Sequence, residues 1–348
     1  MRITVLAKVK KLLTIVVALF ALFLSPLMRL EAQDKAPLRL IQTIPMPNVK
    51  GRLDHMDVDV EGKRLFVAGL ENGSVEVIDL QAGKWVKSIQ GFKKPQGIAY
   101  VKSLNKLFVA SEKGKVYIYD GDSYKLLSTL DFDGGADNLR YDAASKRVYV
   151  GCGDDEKNAA IAIVDAMTNQ RLDEEYRLGG EPEAFQLEQS GPNIYVNVPD
   201  LKQILVLNRA TKQIASWPLK GIEGNFPMAL DEADHRLFVG VHAPPRLAVF
   251  DTNSGRMVAL LPSVQDSDDL YYDPARKLVY MPGGEGFIDV FQMNDPDHYQ
   301  LLARIPTAIG AKTAGYFGKQ GKGFDRFYLA VPARGGQPAE VRIYTVQD

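Results

Sequence analysis

Asp54 and His55 stand next to each other in the chain. A histidine beside a carboxylate can bind a cation or act as a general base, and it can also simply be a hydrogen-bonded channel residue. Further polar residues recur down the sequence: Gln96, Asp137 and Asn138, Glu181 and Glu183, Asn225, Asp268 and Asp269, and Lys312. His242 and Glu285 sit in turn-rich loops and would join Asp54 and His55 in a set fit for a divalent cation. Carboxylates that converge repel one another unless cations satisfy them. Three readings stay open. The acids cap strand starts and pair with Arg52, Arg140 and Lys312; or they hold a cation or polar ligand; or they form a catalytic metal or acid/base site. Neighbours on a strand point to opposite faces, so Asp54 and His55 need not act together, nor Asp268 and Asp269.

The elements that would position these residues form a repeat. Short β-type runs begin at Leu65, Leu107, Val148, Ile194, Leu237, Leu278 and Phe327, spaced 42, 41, 46, 43, 41 and 49 apart. After each comes a second run, such as Val77-Ile78-Asp79, Ile163-Val164-Asp165 or Val249-Phe250-Asp251, and five of these seven end in Asp or Asn. Those short polar side chains bond their own backbone and set a hairpin. Four short strands per unit of about 40–45 residues is the pattern of a β-propeller blade. The expected fold is all-β: a seven-bladed propeller of four-stranded antiparallel blades. The last repeat lacks a fourth strand, and Leu38–Met46 is a spare one, so it should close the ring and remove two sheet edges. One domain, residues 33–348, then accounts for the chain behind its first 32 residues.

The Tyr195-Val196-Asn197 run and its six relatives, each followed by a hairpin, resemble the YVTN-type repeat propellers, the YncE-like group of exported bacterial proteins. The resemblance implies a propeller over the whole mature chain and says little about activity, since propellers host enzymes, binders and scaffolds alike. In such a fold the segment entering each innermost strand lies on one rim, and these segments differ between repeats while the hairpin turns stay similar. That individualised rim holds the acidic set named above. The reading is a ligand- or partner-binding module, monomeric, acting through an acidic rim at the channel mouth. One alternative is a metal-assisted, lactonase-like hydrolase using the mouth carboxylates and His55; another is a protein-interaction scaffold. A small ligand requires a cavity of roughly a few hundred Å³ at this mouth.

Composition narrows the classes. Lys8, Lys10 and Lys11 precede residues 12–24, which carry no charge; Ser25-Pro26 ends the run, and Leu30-Glu31-Ala32 offers a cleavage site after Ala32. This is the pattern of a secretory signal, with an uncleaved anchor as the alternative, so a periplasmic or secreted location is expected and the mature form has no membrane span. Without that segment the chain has 37 basic and 42 acidic residues, which does not suit nucleic-acid binding. A single cysteine, Cys152, excludes an internal disulfide. No nucleophile-elbow, His-Glu-x-x-His, Walker or dinucleotide motif occurs. The tyrosines, Tyr271 and Tyr272 among them, read as blade packing.

Overall fold

The computed structural model describes residues 36–318 and 325–347; the expected export segment lies outside them. Seven four-stranded antiparallel sheets follow one another along the chain. Blades 1 to 6 cover residues 56–90, 95–131, 136–177, 185–218, 223–262 and 271–306 in turn, and blade 7 covers 313–346. The outermost strand of blade 7 is Leu38–Met46, paired antiparallel with Ala339–Val346 from Leu38↔Val346 to Met46↔Ala339. The ring is therefore closed by the chain's own first strand, as the repeat count requires. No described helix is long and apolar enough to cross a membrane.

Strand alternation explains the core. In the second strand of blade 1, Leu65 and Val67 pack toward blade 7 beside Tyr328 and Val341. Phe66 and Ala68, one residue out of phase, pack toward blade 2 beside Leu107 and Val109. Every such strand is buried on both faces, so its apolar run is continuous instead of alternating. The seven buried clusters are the seven interfaces between blades, and no single central core exists among the described residues. The axis is lined instead by polar inner strands.

The hairpin acids do what the sequence implies. Asp79 accepts from Gln81 N at 2.9 Å and Ala82 N at 2.7 Å, and Asp165 from Met167 N and Thr168 N at 2.8 and 2.9 Å. A second set of polar clamps runs round the face opposite the individualised rim. Arg64 bonds Asp59 at 2.6 Å and Arg236 bonds Asp297 at 2.6 Å, while Arg209 reaches Asp142 at 3.3 Å. These staples join neighbouring strands and blades.

Candidate functional site

Each innermost strand starts at the individualised rim. Asp54 and His55 lie just before the strand Met56–Asp59, so strict strand alternation does not separate them. His55 N donates to Asp54 Oδ1 at 3.0 Å and its Nε2 lies 3.7 Å from the same oxygen. The imidazole also reaches across the ring: Nδ1 is 3.1 Å from Asp269 Oδ1 and Nε2 is 3.7 Å from Asp137 Oδ1. One histidine thus ties blades 1, 3 and 6 together at the channel mouth.

Asp268 and Asp269, just before the strand Tyr271–Asp273, point to different partners. Asp268 is bound by Arg52 at 3.3 Å and Lys312 at 3.1 Å. Asp269 takes His55 and accepts from Ala314 N at 2.8 Å. Arg52 also holds Asp54 at 3.0 Å, and Lys312 holds Asp266 at 2.8 Å. Asp266 is a rim acid beyond the expected set; three acids within four residues mark its segment. Gly97 secures the position of Asp137. A Cβ there would fall 1.9 Å from the Asp137 carbonyl oxygen, so only glycine lets the two inner strands approach this closely.

Charge and burial shape the titration of these groups. Burial disfavours a charged His55, yet Asp269, Asp54 and Asp137 outweigh it and raise the imidazole to about 10; the ring is a cation at neutral pH. Burial lifts Asp54 to about 7 against the pull of His55 and Arg52. Glu183 is pushed up to about 9 by burial, with Asp137 and Glu181 adding to it. Glu181 rises to about 7 for the same reasons, with Asp154 and Asp200 nearby. Among the described residues Glu181 and Glu183 have no ion-pair partner, and Asp137 Oδ1 is buried without a hydrogen bond. The mouth therefore keeps unsatisfied carboxylates after its own cations are used.

The remaining candidate residues fall elsewhere. Asn225 is fully buried and donates to Asn197 Oδ1 at 3.0 Å and Gln203 O at 2.9 Å, a clamp between blades 4 and 5. Asn138 is buried and Gln96 half-buried on their inner strands. His242 stacks on Phe226, with ring centroids 4.3 Å apart, and its Nε2 is 2.9 Å from Ser267 O. Glu285 accepts from Gln265 N at 3.2 Å. Neither shares a contact with His55, and no three His, Cys, Asp or Glu side chains among the described residues are grouped as a metal ion requires. Cys152 is buried and its thiol pushed up to about 11 by burial.

Deeper in the channel stand Arg140 and Tyr271. Arg140, which in one of the three readings would pair with the rim acids, donates to Leu139 O at 2.8 Å and lies 5.5 Å from the Phe185 ring centroid, making no ion pair among the described residues. Its electrostatic neighbours are Tyr271, Asp269, Asp57 and Asp137. Tyr271 is not only packing: its hydroxyl donates across to Ala314 O in blade 7 at 2.8 Å. A cavity of about 470 Å³ opens at the far end of the inner strands, lined by Asp57, Tyr272, Tyr316 and Phe317 among others. That is the channel mouth opposite the acidic rim.

No family profile and no curated protein matches the chain. Solved structures do. A chain of Kuenenia stuttgartiensis hydrazine synthase matches with a TM-score of 0.71 at 15% identity, covering 85% of this chain and 97% of that one. A chain of a mitotic checkpoint complex gives 0.73 at 12% identity, with 89% and 92% covered. The WD40 repeats of RRP9 give 0.74 at 12%, with 89% and 100% covered. At these identities the likeness establishes the WD40-like propeller fold alone.

Proposed function

We propose that this propeller is an exported, YncE-like binding module whose acidic channel mouth receives a cationic group of a ligand or protein partner. The observation that carries the reading is the imbalance at the mouth. Arg52, His55 and Lys312 are consumed by Asp54, Asp266, Asp268 and Asp269, while Glu181 and Glu183 face the opening with no cation of the protein's own. Two protonatable acids lacking partners form a site that a positive charge completes, with protons released as it enters. Loops on a rigid ring are the usual place for such recognition.

The test is calorimetric titration of the purified protein with trilysine, and separately with calcium chloride, in buffers of differing ionisation enthalpy. Trilysine should bind with proton release, more tightly at pH 8 than at pH 6, and at least tenfold more weakly to the Glu181→Gln/Glu183→Gln variant. No binding of either cation would end the reading. Calcium binding accompanied by lactone hydrolysis would replace it with the hydrolase alternative. Export is tested by fractionating cells that make the full chain: recovery only from the cytosol would remove that part.

A further inference from the structure

The cavity at the opposite mouth has its own chemistry. Its volume, about 470 Å³, falls within the roughly 300–1,000 Å³ of small-molecule sites. Three rings and one carboxylate dominate the lining, with Val58, Val60 and Pro274 adding apolar surface. The tyrosine hydroxyls are engaged inside the blades. Tyr272 donates to Met293 Sδ at 3.3 Å and Tyr316 to Asp325 Oδ1 at 3.4 Å. Their aromatic bodies are thereby fixed beside the cavity, Tyr272 against Phe238 and Tyr316 against Tyr280. Phe317 folds back over Gly315, where a Cβ would meet its Cζ at 2.7 Å. A side chain at position 315 would expel the ring, so the glycine is what allows it to sit there.

Asp57 is the charged member of the lining. Its Oδ1 accepts from Val58 N at 2.8 Å and its Oδ2 from Tyr100 N at 2.7 Å. The carboxylate is thus held rigidly between blades 1 and 2. Each oxygen retains a further lone pair, and among the described residues Asp57 has no ion-pair partner. Ring faces carry negative potential, and a fixed carboxylate beside them adds to it.

We infer that this second mouth is a binding site for an organic ammonium ion with an apolar body, the charge set between Asp57 and the faces of Tyr272, Tyr316 and Phe317. Burial raises Asp57 only to about 6, so the carboxylate is charged at neutral pH. The site is separate from the acidic rim, with Arg140 and Tyr271 between them in the channel.

Benzyltrimethylammonium is the probe, titrated into the full chain by calorimetry and by ligand-observed NMR, with neutral benzyl alcohol as the control. The ammonium should bind at least tenfold more tightly than the alcohol. Asp57→Asn should weaken it about tenfold, and so should Phe317→Leu, which keeps apolar volume and removes the ring face. Glu183→Gln at the other mouth should leave the Asp57-dependent binding in place. Circular dichroism and a thermal melt establish that each variant is folded; should Asp57→Asn not fold, Phe317→Leu and the alcohol control decide the matter. The inference is overturned by no binding at millimolar ammonium, by equal affinity for the alcohol, by wild-type affinity in folded Asp57→Asn or in Phe317→Leu, or by an equal loss in Glu183→Gln.

Discussion

Replacing Glu183 by glutamine should make the protein more stable at pH 8 and leave it unchanged near pH 4.5. The carboxyl ordinarily titrates near 4.5 and is held up to about 9 in the folded protein. Between those values the folded chain keeps a proton that the unfolded chain has released. A group whose folded state binds the extra proton loses stability as pH rises, by about 1.4 kcal/mol per unit. From pH 4.5 to pH 8 that sums to a ceiling of about 5 kcal/mol. Glu183 is partly open to solvent at the mouth, and screening reduces the expected figure to about 1–2 kcal/mol. Glutamine has nearly the same shape and no proton to hold, so it removes the whole pH-dependent contribution. Urea denaturation of both proteins at pH 4.5, 6 and 8 measures it, the wild type falling progressively behind. Direct titration of the Glu183 carboxyl by NMR reports the same proton. A variant no more stable than wild type at pH 8 would mean that Glu183 is ionised and satisfied there, and the argument for a receptive mouth would fail with it.

Other outcomes follow from the same geometry. His55→Gln should cost about 3 kcal/mol at pH 7, because it leaves buried Asp54 and Asp269 without their shared cation; the raised imidazole contributes fully below its ordinary value of 6.5 and that contribution fades as pH climbs through about 10, which denaturation at pH 7 and pH 10 compares. Gly97→Ala drives a methyl group into the Asp137 carbonyl, so a loss of about 1–3 kcal/mol is expected by thermal melting, together with weaker trilysine binding from a displaced Asp137. Cys152, buried with a raised thiol, should resist a thiol reagent at pH 8 until denaturant is added, when it should react at the rate of a free thiol.

Much of the ring could be read from the residues because a strand such as Leu65-Phe66-Val67-Ala68 is buried on both faces, and an apolar run bounded by turns marks it locally. The spare strand was legible by counting. The entry segments before each inner strand were legible too, since they vary inside a constant repeat. Partnership was not. Arg52 meets Asp268 across 216 residues of chain, a contact that exists only because the last blades come round to the first. Asn225 looked like a rim residue but is drawn into a blade interface by Asn197. Arg140 looked like a counter-ion but spends its guanidinium on a backbone carbonyl. The cavity had no signature in the repeat at all. It arises where blade 7 places a glycine and a phenylalanine two apart, and side-chain direction rather than residue type makes the space.

The strand that closes the ring also sets the molecule's posture. Ala339 and Met46 pair at the level of the acidic rim, and eight residues further along, Leu38 and Val346 pair at the other face. Gln347 N donates to Pro37 O at 2.9 Å, so both described ends leave side by side from the ammonium-site face. Any surface or larger assembly to which the chain is fastened through either end would therefore lie beneath the ring. The acidic mouth would look outward, and the second cavity would face its moorings.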